Sequence, residues 1–256
     1  MRKVRIIPRL DIKGPNLIKS VQFEGLRVLG SPNDFAKRYY DEGADELLYM
    51  DVVASLYGRN SLNDLISKAA KNVFIPITVG GGIRSVDDAI QIFKSGADKI
   101  AINTAAVKNP NLISDLVQRF GSQSIVVSIE AKKVRAGSWT VYTDYGREKS
   151  ELDLFKWIKI CVEKGAGEII ITSIDREGTG EGFETEILEK LGNLDIPVIF
   201  CGGMGKLNDI IEVLKFGNID AISMADSIHY NKFKISQIRD FALSKNLNLR
   251  NFHHED

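Results

Sequence analysis

Residues 75–106 read IPITVGGGIRSVDDAIQIFKSGADKIAINTAA, and this stretch decides the fold. It spells a buried strand, a three-glycine turn, an amphipathic helix opening at Ser85, a Gly-Ala-Asp turn and a second buried strand. Glycines after a strand let backbone approach a ligand closely, and the helix that follows offers unpaired N–H groups to an anion such as phosphate. Nearly the same unit returns at 196–227 as IPVIFCGGMGKLNDIIEVLKFGNIDAISMADS. Pro76 matches Pro197, Gly81 and Gly82 match Gly202 and Gly203, and Gly96 matches Gly217 (197 − 76, 202 − 81 and 217 − 96 all give 121). A unit repeated half a chain away describes two similar halves.

The rest of the chain fits that period. Val4–Ile12 is a short apolar strand, and the long polar segment 13–33 reads as a functional loop of the lid kind. Strands follow at ELLYMDVVA from Glu46, at Ile75–Val79, at Lys99–Asn103 and at SIVVSIEAK before a hairpin-like insertion, VRAGSWTVYTDYG. EIIITSI, VIFC and AISMA complete eight, with helical patterns between them. Strands that are continuous apolar runs belong to a parallel sheet covered on both faces. Eight βα units with a half-chain repeat predict one closed (β/α)8 TIM barrel over residues 1–256, with half-barrels at about 1–122 and 123–256.

Composition excludes other classes. The formal net charge is zero and no basic block appears, which argues against nucleic acid. Cys161 and Cys201 lie in unlike contexts, so no disulfide framework is expected; no apolar run has spanning length, and a cytoplasmic protein without membrane contact is expected. Histidines are confined to His229, His253 and His254. The chemistry must therefore use carboxylates, lysines and backbone amides, and neither a cofactor nor a metal is expected.

Alternation places Arg5, Ile7, Arg9 and Asp11 on one face of the first strand and Val126, Ser128 and Glu130 on one face of the fifth. Asp11 and Glu130 end equivalent strands, at the barrel end where chemistry gathers, and form a candidate acid/base pair. A blander account has each carboxylate capping a loop. At the other end, Arg5, Glu46, Lys99 and Glu168 start apolar strands and should point inward, either as a plug of salt bridges or as a gate over an axial channel. Two anion sites are expected at the mouth. One combines Gly81–Gly82 with Asn103 and Thr104; the other combines Asp175–Gly178, Gly202–Gly203 and Ala225, Asp226 and Ser227.

These residues carry a resemblance along nearly the whole chain: LDIK at 10–13, Lys19, DELLYMD at 45–51, TVGGGI at 78–83, GADKIAINTAAV at 96–107, FGSQSIVV at 120–127, GAGEIIITSIDREGT at 165–179 and GGMGK at 202–206. The chain resembles the cyclase subunit family of imidazole glycerol phosphate synthase. The resemblance implies a barrel fed with ammonia by a HisH-like glutaminase docked at its bottom near Asp98, through a gate of Arg5, Glu46, Lys99 and Glu168. It implies Asp11 and Glu130 as catalytic acids, with Lys19, Gly82, Asn103, Thr104, Glu177, Gly178, Gly203, Ala225 and Asp226 on a bisphosphorylated ribotide. Several positions depart from the family pattern. Glu130 and Glu177 stand for aspartates, Asp226 and Cys201 for serines, and Arg9 and Tyr145 for small residues. Because these departures gather at the mouth, the preferred reading is a subunit passing ammonia to an ATP-dependent sugar amidotransferase of surface-polysaccharide synthesis. The alternatives are the histidine-pathway cyclase itself and a non-catalytic glutaminase activator. Two further expectations attach to the departures: Arg9 should pair with Asp11, Glu130 or Asp226, and Asp226 should cap its helix and fill the second anion site.

Overall fold

The computed structural model describes residues 3–54 and 62–251, which leaves His253 and His254 outside the described residues. Twelve strands form one sheet: β1 Arg5–Lys13, β2 Asn16–Val21, β3 Glu24–Gly30, β4 Leu47–Asp51, β5 Ile77–Gly80, β6 Lys99–Ile102, β7 Ile125–Arg135, β8 Ser138–Thr143, β9 Glu148–Asp153, β10 Glu168–Ser173, β11 Val198–Cys201 and β12 Ala221–Met224. Eight of them run parallel in the order β10-β11-β12-β1-β4-β5-β6-β7, and β7 pairs back onto β10 from Glu168↔Val126 to Ser173↔Ala131. The sheet is therefore a closed barrel, as the repeat predicts. Helices alternate with the strands and cover the outside.

The alternation of side chains builds two separate cores. Outward residues such as Ile6, Leu10, Tyr49, Val79 and Ile171 pack against the helices, while Ile7, Leu48, Ala101, Val126, Ile170, Ile199 and Ala221 fill the barrel. Each fully buried Val, Leu or Ile among them contributes about 1.5–3 kcal/mol over its exposed state. Helix starts follow local chemistry. Ser85 accepts from the Asp88 N–H at 3.1 Å to open helix Val86–Lys94, and Asp153 accepts from Phe155 and Lys156 to open helix Leu154–Glu163.

The long polar segment is not a bare loop. β1 runs past the barrel rim and pairs with β2 in antiparallel register, and β2 pairs with β3, so residues 16–30 form a hairpin over the mouth. The second half does the same: β7 continues into β8, and β8 pairs with β9, adding one strand beyond the expected hairpin. Polar composition hid these strands because their outer faces meet solvent and their register depends on partners far along the chain.

Candidate functional site

At the strand N-termini the four predicted charges meet as a closed ring. Arg5 donates to Glu46 and to Glu168, each at 2.6 Å, and Lys99 lies 3.0 Å from Glu46 and 2.9 Å from Glu168. Burial disfavours the Arg5 charge, but Glu168 and then Glu46 outweigh it, so the pKa is raised and the guanidinium stays charged. A hollow of about 390 Å³ opens beneath the ring, bordered by Lys3, Arg5, Lys99, Gln123 and Glu168. Asp98 is exposed on this end and accepts from the Ile77 N–H at 2.8 Å. Asp45 and Asp220 hold Ile6 and Val198 in the same way, so this carboxylate also pins a strand start.

At the other end Asp11 and Glu130 are both buried, on strands four places apart in the ring of eight. Their surroundings differ. Asp11 has both oxygens occupied, Oδ1 by Arg9 Nε at 2.7 Å and Oδ2 by the Tyr145 hydroxyl at 3.0 Å. Arg9 has no exposure, reaches Thr172 Oγ1 at 3.1 Å, and lies beneath the Phe23 ring, 5.5 Å from its centroid. The expectation that Arg9 would take a carboxylate holds, and the partner is Asp11. Glu130 accepts from the Gly146 N–H at 2.9 Å. Burial pushes its carboxyl up to about 7, against the opposing pull of Arg9 and the Gly146 amide. His229 is driven by burial down to about 3, so the one histidine among the described residues is neutral near pH 7 and leaves proton transfer to the carboxylates.

The two expected anion sites have unequal space. Gly81, Gly82, Asn103 and Thr104 line a recess of about 300 Å³ that extends inward to Met50, Glu130 and Tyr145. Gly81 has φ of 99°, and a Cβ there would lie 2.3 Å from the Asp51 carbonyl oxygen, so only glycine fits this turn. Arg84 and Lys108 add two cations to the wall. Sequence reasoning passed over both; the usable signal was a basic residue just beyond the glycines and another on the short helix Thr104–Lys108. Thr104 Oγ1 already accepts from the Asp144 N–H at 3.0 Å, while Asn103 Oδ1 is buried without a partner.

The equivalent recess in the second half, lined by Glu177, Gly178, Gly203, Ala225 and Asp226, holds only about 10 Å³, at most one water. Lys19, expected on a phosphate, is buried against Glu177 instead. Burial alone would depress the Lys19 ammonium, and Glu177 reverses this. The hairpin tip completes the closure: Gln22 donates its N–H to the Glu177 carbonyl at 2.8 Å and its side-chain amide to the Asp175 carbonyl at 2.9 Å. The expectation that Asp226 caps a helix is not met. Ala225 is the N-cap, and Asp226 is the first residue of helix Asp226–His229, with its carboxylate 2.6 Å from Lys232 Nζ. The carboxylate is turned to a lysine six residues on.

Among the described residues, no group of three or more His, Cys, Asp or Glu side chains could hold a metal, and no helix is long and apolar enough to cross a membrane. Cys161 and Cys201 are both buried and free.

A family profile described as "Histidine biosynthesis protein" matches residues 5–234. The imidazole glycerol phosphate synthase subunit HisF of Legionella pneumophila is 60% identical over 210 residues, covering 82% of this chain and 99% of the relative. The protein of that name from Prochlorococcus marinus (strain AS9601) is 44% identical over 253 residues, covering 98% of this chain and 99% of the relative. The one from Helicobacter hepaticus (strain ATCC 51449 / 3B1) is 42% identical over 246 residues, covering 96% and 98%.

Proposed function

Since the chain belongs to the imidazole glycerol phosphate synthase HisF family of enzyme subunits, we propose that it serves as the ammonia-using cyclase subunit of that synthase. The observation that carries the reading is the first-half recess, where glycine amides, Arg84 and Lys108 suit a phosphate and Glu130 stands at the inner end. A carboxyl raised to about 7 can give and take a proton at neutral pH, which is what general acid/base work on a ribotide requires. Asp11, its partner across the mouth, is held in place by Arg9 and Tyr145. Ammonia would enter from a HisH-like glutaminase at the strand N-termini, where the four-charge ring closes the axis and Asp98 is exposed.

The relatives, at 42–60% identity, carry the synthase name, which favours this reading over a subunit of surface-polysaccharide synthesis despite the altered mouth. The test is ammonium-dependent conversion of the bisphosphorylated ribotide by the purified chain, together with stimulation of a HisH-type glutaminase on mixing. Conversion and stimulation uphold the proposal. A chain that stimulates the glutaminase but leaves the ribotide untouched sinks the cyclase role.

That second outcome would favour delivery of ammonia to another acceptor through a sugar amidotransferase. One observation speaks for it: the second-half recess is filled by the chain's own Lys19–Glu177 pair.

A further inference from the structure

The two carboxylates at the mouth are equivalent by chain symmetry, yet only one borders the open recess. Glu130 lines it and Asp11 does not. Asp11 sits behind Tyr145, and each of its oxygens accepts a hydrogen bond from a side chain that is itself buried. Removing Asp11 would leave the Arg9 guanidinium uncompensated in the interior, which is expensive. Arg9 also carries a buried donor with no acceptor, Nη2. Its positive charge also reaches Glu130.

We propose that Arg9 is a positioning residue that divides the work of the pair: it ties Asp11 down behind Tyr145, away from the open recess, so that Glu130 is the carboxyl that exchanges a proton at the mouth. The inference rests on the acid/base reading of the two carboxylates. Among the described residues, Asp51, Arg84 and Lys108 share the recess with Glu130, and three charged groups bear on it most. Arg9 and Asp11 face it from β1, Asp144 faces it from the turn after β8, and Tyr145 and the Gly146 amide follow in the same turn. Among the charges, Arg9 acts most strongly and favours ionisation, whereas Asp11 and Asp144 oppose it. Lys19 and Glu177 lie further along the Arg9 side and are paired with each other. Glu130 is thus balanced between burial, which favours the acid, and Arg9, which favours the anion. Without Arg9 the proton would stay on Glu130 to higher pH.

Carbon-13 NMR of the full chain labelled at glutamate side-chain carboxyls reads this directly, with Glu130 assigned by its loss in Glu130→Gln. In the unmodified chain the Glu130 resonance should titrate near pH 7. In Arg9→Gln its midpoint should move up by about 1 unit, and in Arg9→Lys, which keeps the charge, it should return toward the original value. Where Arg9→Gln fails to fold, Arg9→Met/Asp11→Asn removes the pair together. Its midpoint should still lie above the original, because the pull of Arg9 exceeds the push of Asp11. A midpoint in either folded variant at or below that of the unmodified chain overturns the proposal, as does Arg9→Lys behaving like Arg9→Gln. The titration needs no substrate. A chain inactive on the ribotide but titrating as expected refutes the cyclase reading and leaves this assignment standing.

Discussion

The two halves of the mouth descend from equivalent strands, and one is open while the other is filled. After β5 and β6 the glycine turn and Asn103 surround about 300 Å³; after β11 and β12 the matching turn surrounds about 10 Å³. The glycines do not make the difference, since both turns keep them at positive φ. What differs is the rim. The hairpin after β1 drops its tip onto residues 175–177, with Lys19 and Phe23 turned inward, whereas the hairpin after β7 touches the first recess at its edge, through the Asp144 N–H on Thr104 and the Tyr145 side chain, and leaves it open. A repeated motif therefore predicts repeated backbone, and its use depends on the side chains that later segments bring to it.

The sharpest way to break this asymmetry is through Glu130, the carboxyl on the open side. Glu130→Gln keeps the shape and removes the proton, so ammonium-dependent turnover should fall by about 10²–10⁴-fold. Phosphate-ester affinity, which the proposed reading assigns to the glycines, Arg84 and Lys108, should barely change. A variant that turns over normally would end the assignment of Glu130 as the proton-transfer group.

Next comes Arg9, on the filled side. Arg9→Met leaves Asp11 buried with one partner, and loss of one member of a buried pair costs about 3–5 kcal/mol. Chemical denaturation should register that loss, and Arg9→Met/Asp11→Asn should recover most of it. An Arg9→Met chain as stable as the original would mean that water already reaches the pair.

A third effect follows from linkage. Glu130 in the folded chain holds its proton up to about pH 7, above the 4.5 of an ordinary glutamate. A raised folded pKa stabilises fully below the unfolded value and loses that contribution as pH rises through the folded value. Between about pH 4.5 and 7 the unmodified chain should therefore lose about 3 kcal/mol relative to Glu130→Gln. Parallel stability curves for the two proteins across that window would contradict the burial argument.

How far the sequence leads can be seen in the same residues. The barrel and its charged floor were legible, because apolar runs fix strands and parity alone sends Arg5, Glu46, Lys99 and Glu168 to one end of one face. That Arg9 needs a carboxylate followed from a guanidinium that cannot lose its charge; that it is Asp11, with Thr172 as second acceptor, required the barrel register. Lys19 facing Glu177 could not be read at all, since 158 residues separate them and the pairing depends on where the hairpin tip lands. Arg84 and Lys108 escaped because a lone cation beside a helix usually reads as solvated surface.

The smallest expected effect tests why the second recess is closed. Charge and volume both oppose a phosphate there: Asp226 borders the recess, and the hairpin leaves room for no more than a water. The Asp226 carboxylate, however, is already neutralised by Lys232, whose side chain is about half exposed, and pairs of that kind contribute about 0–1 kcal/mol. Removing the carboxylate also frees the Lys232 ammonium, yet it gives no space while Lys19 and Glu177 stay in place. Asp226→Ser should thus change ribotide affinity by no more than about 0.5 kcal/mol, roughly twofold, and leave the melting curve nearly where it was. Calorimetric titration of the variant against the unmodified chain decides the matter. A gain of about tenfold would show that repulsion closes the recess, and the comparison between the two halves would then be one of charge, with the hairpin free to lift once the anion is gone.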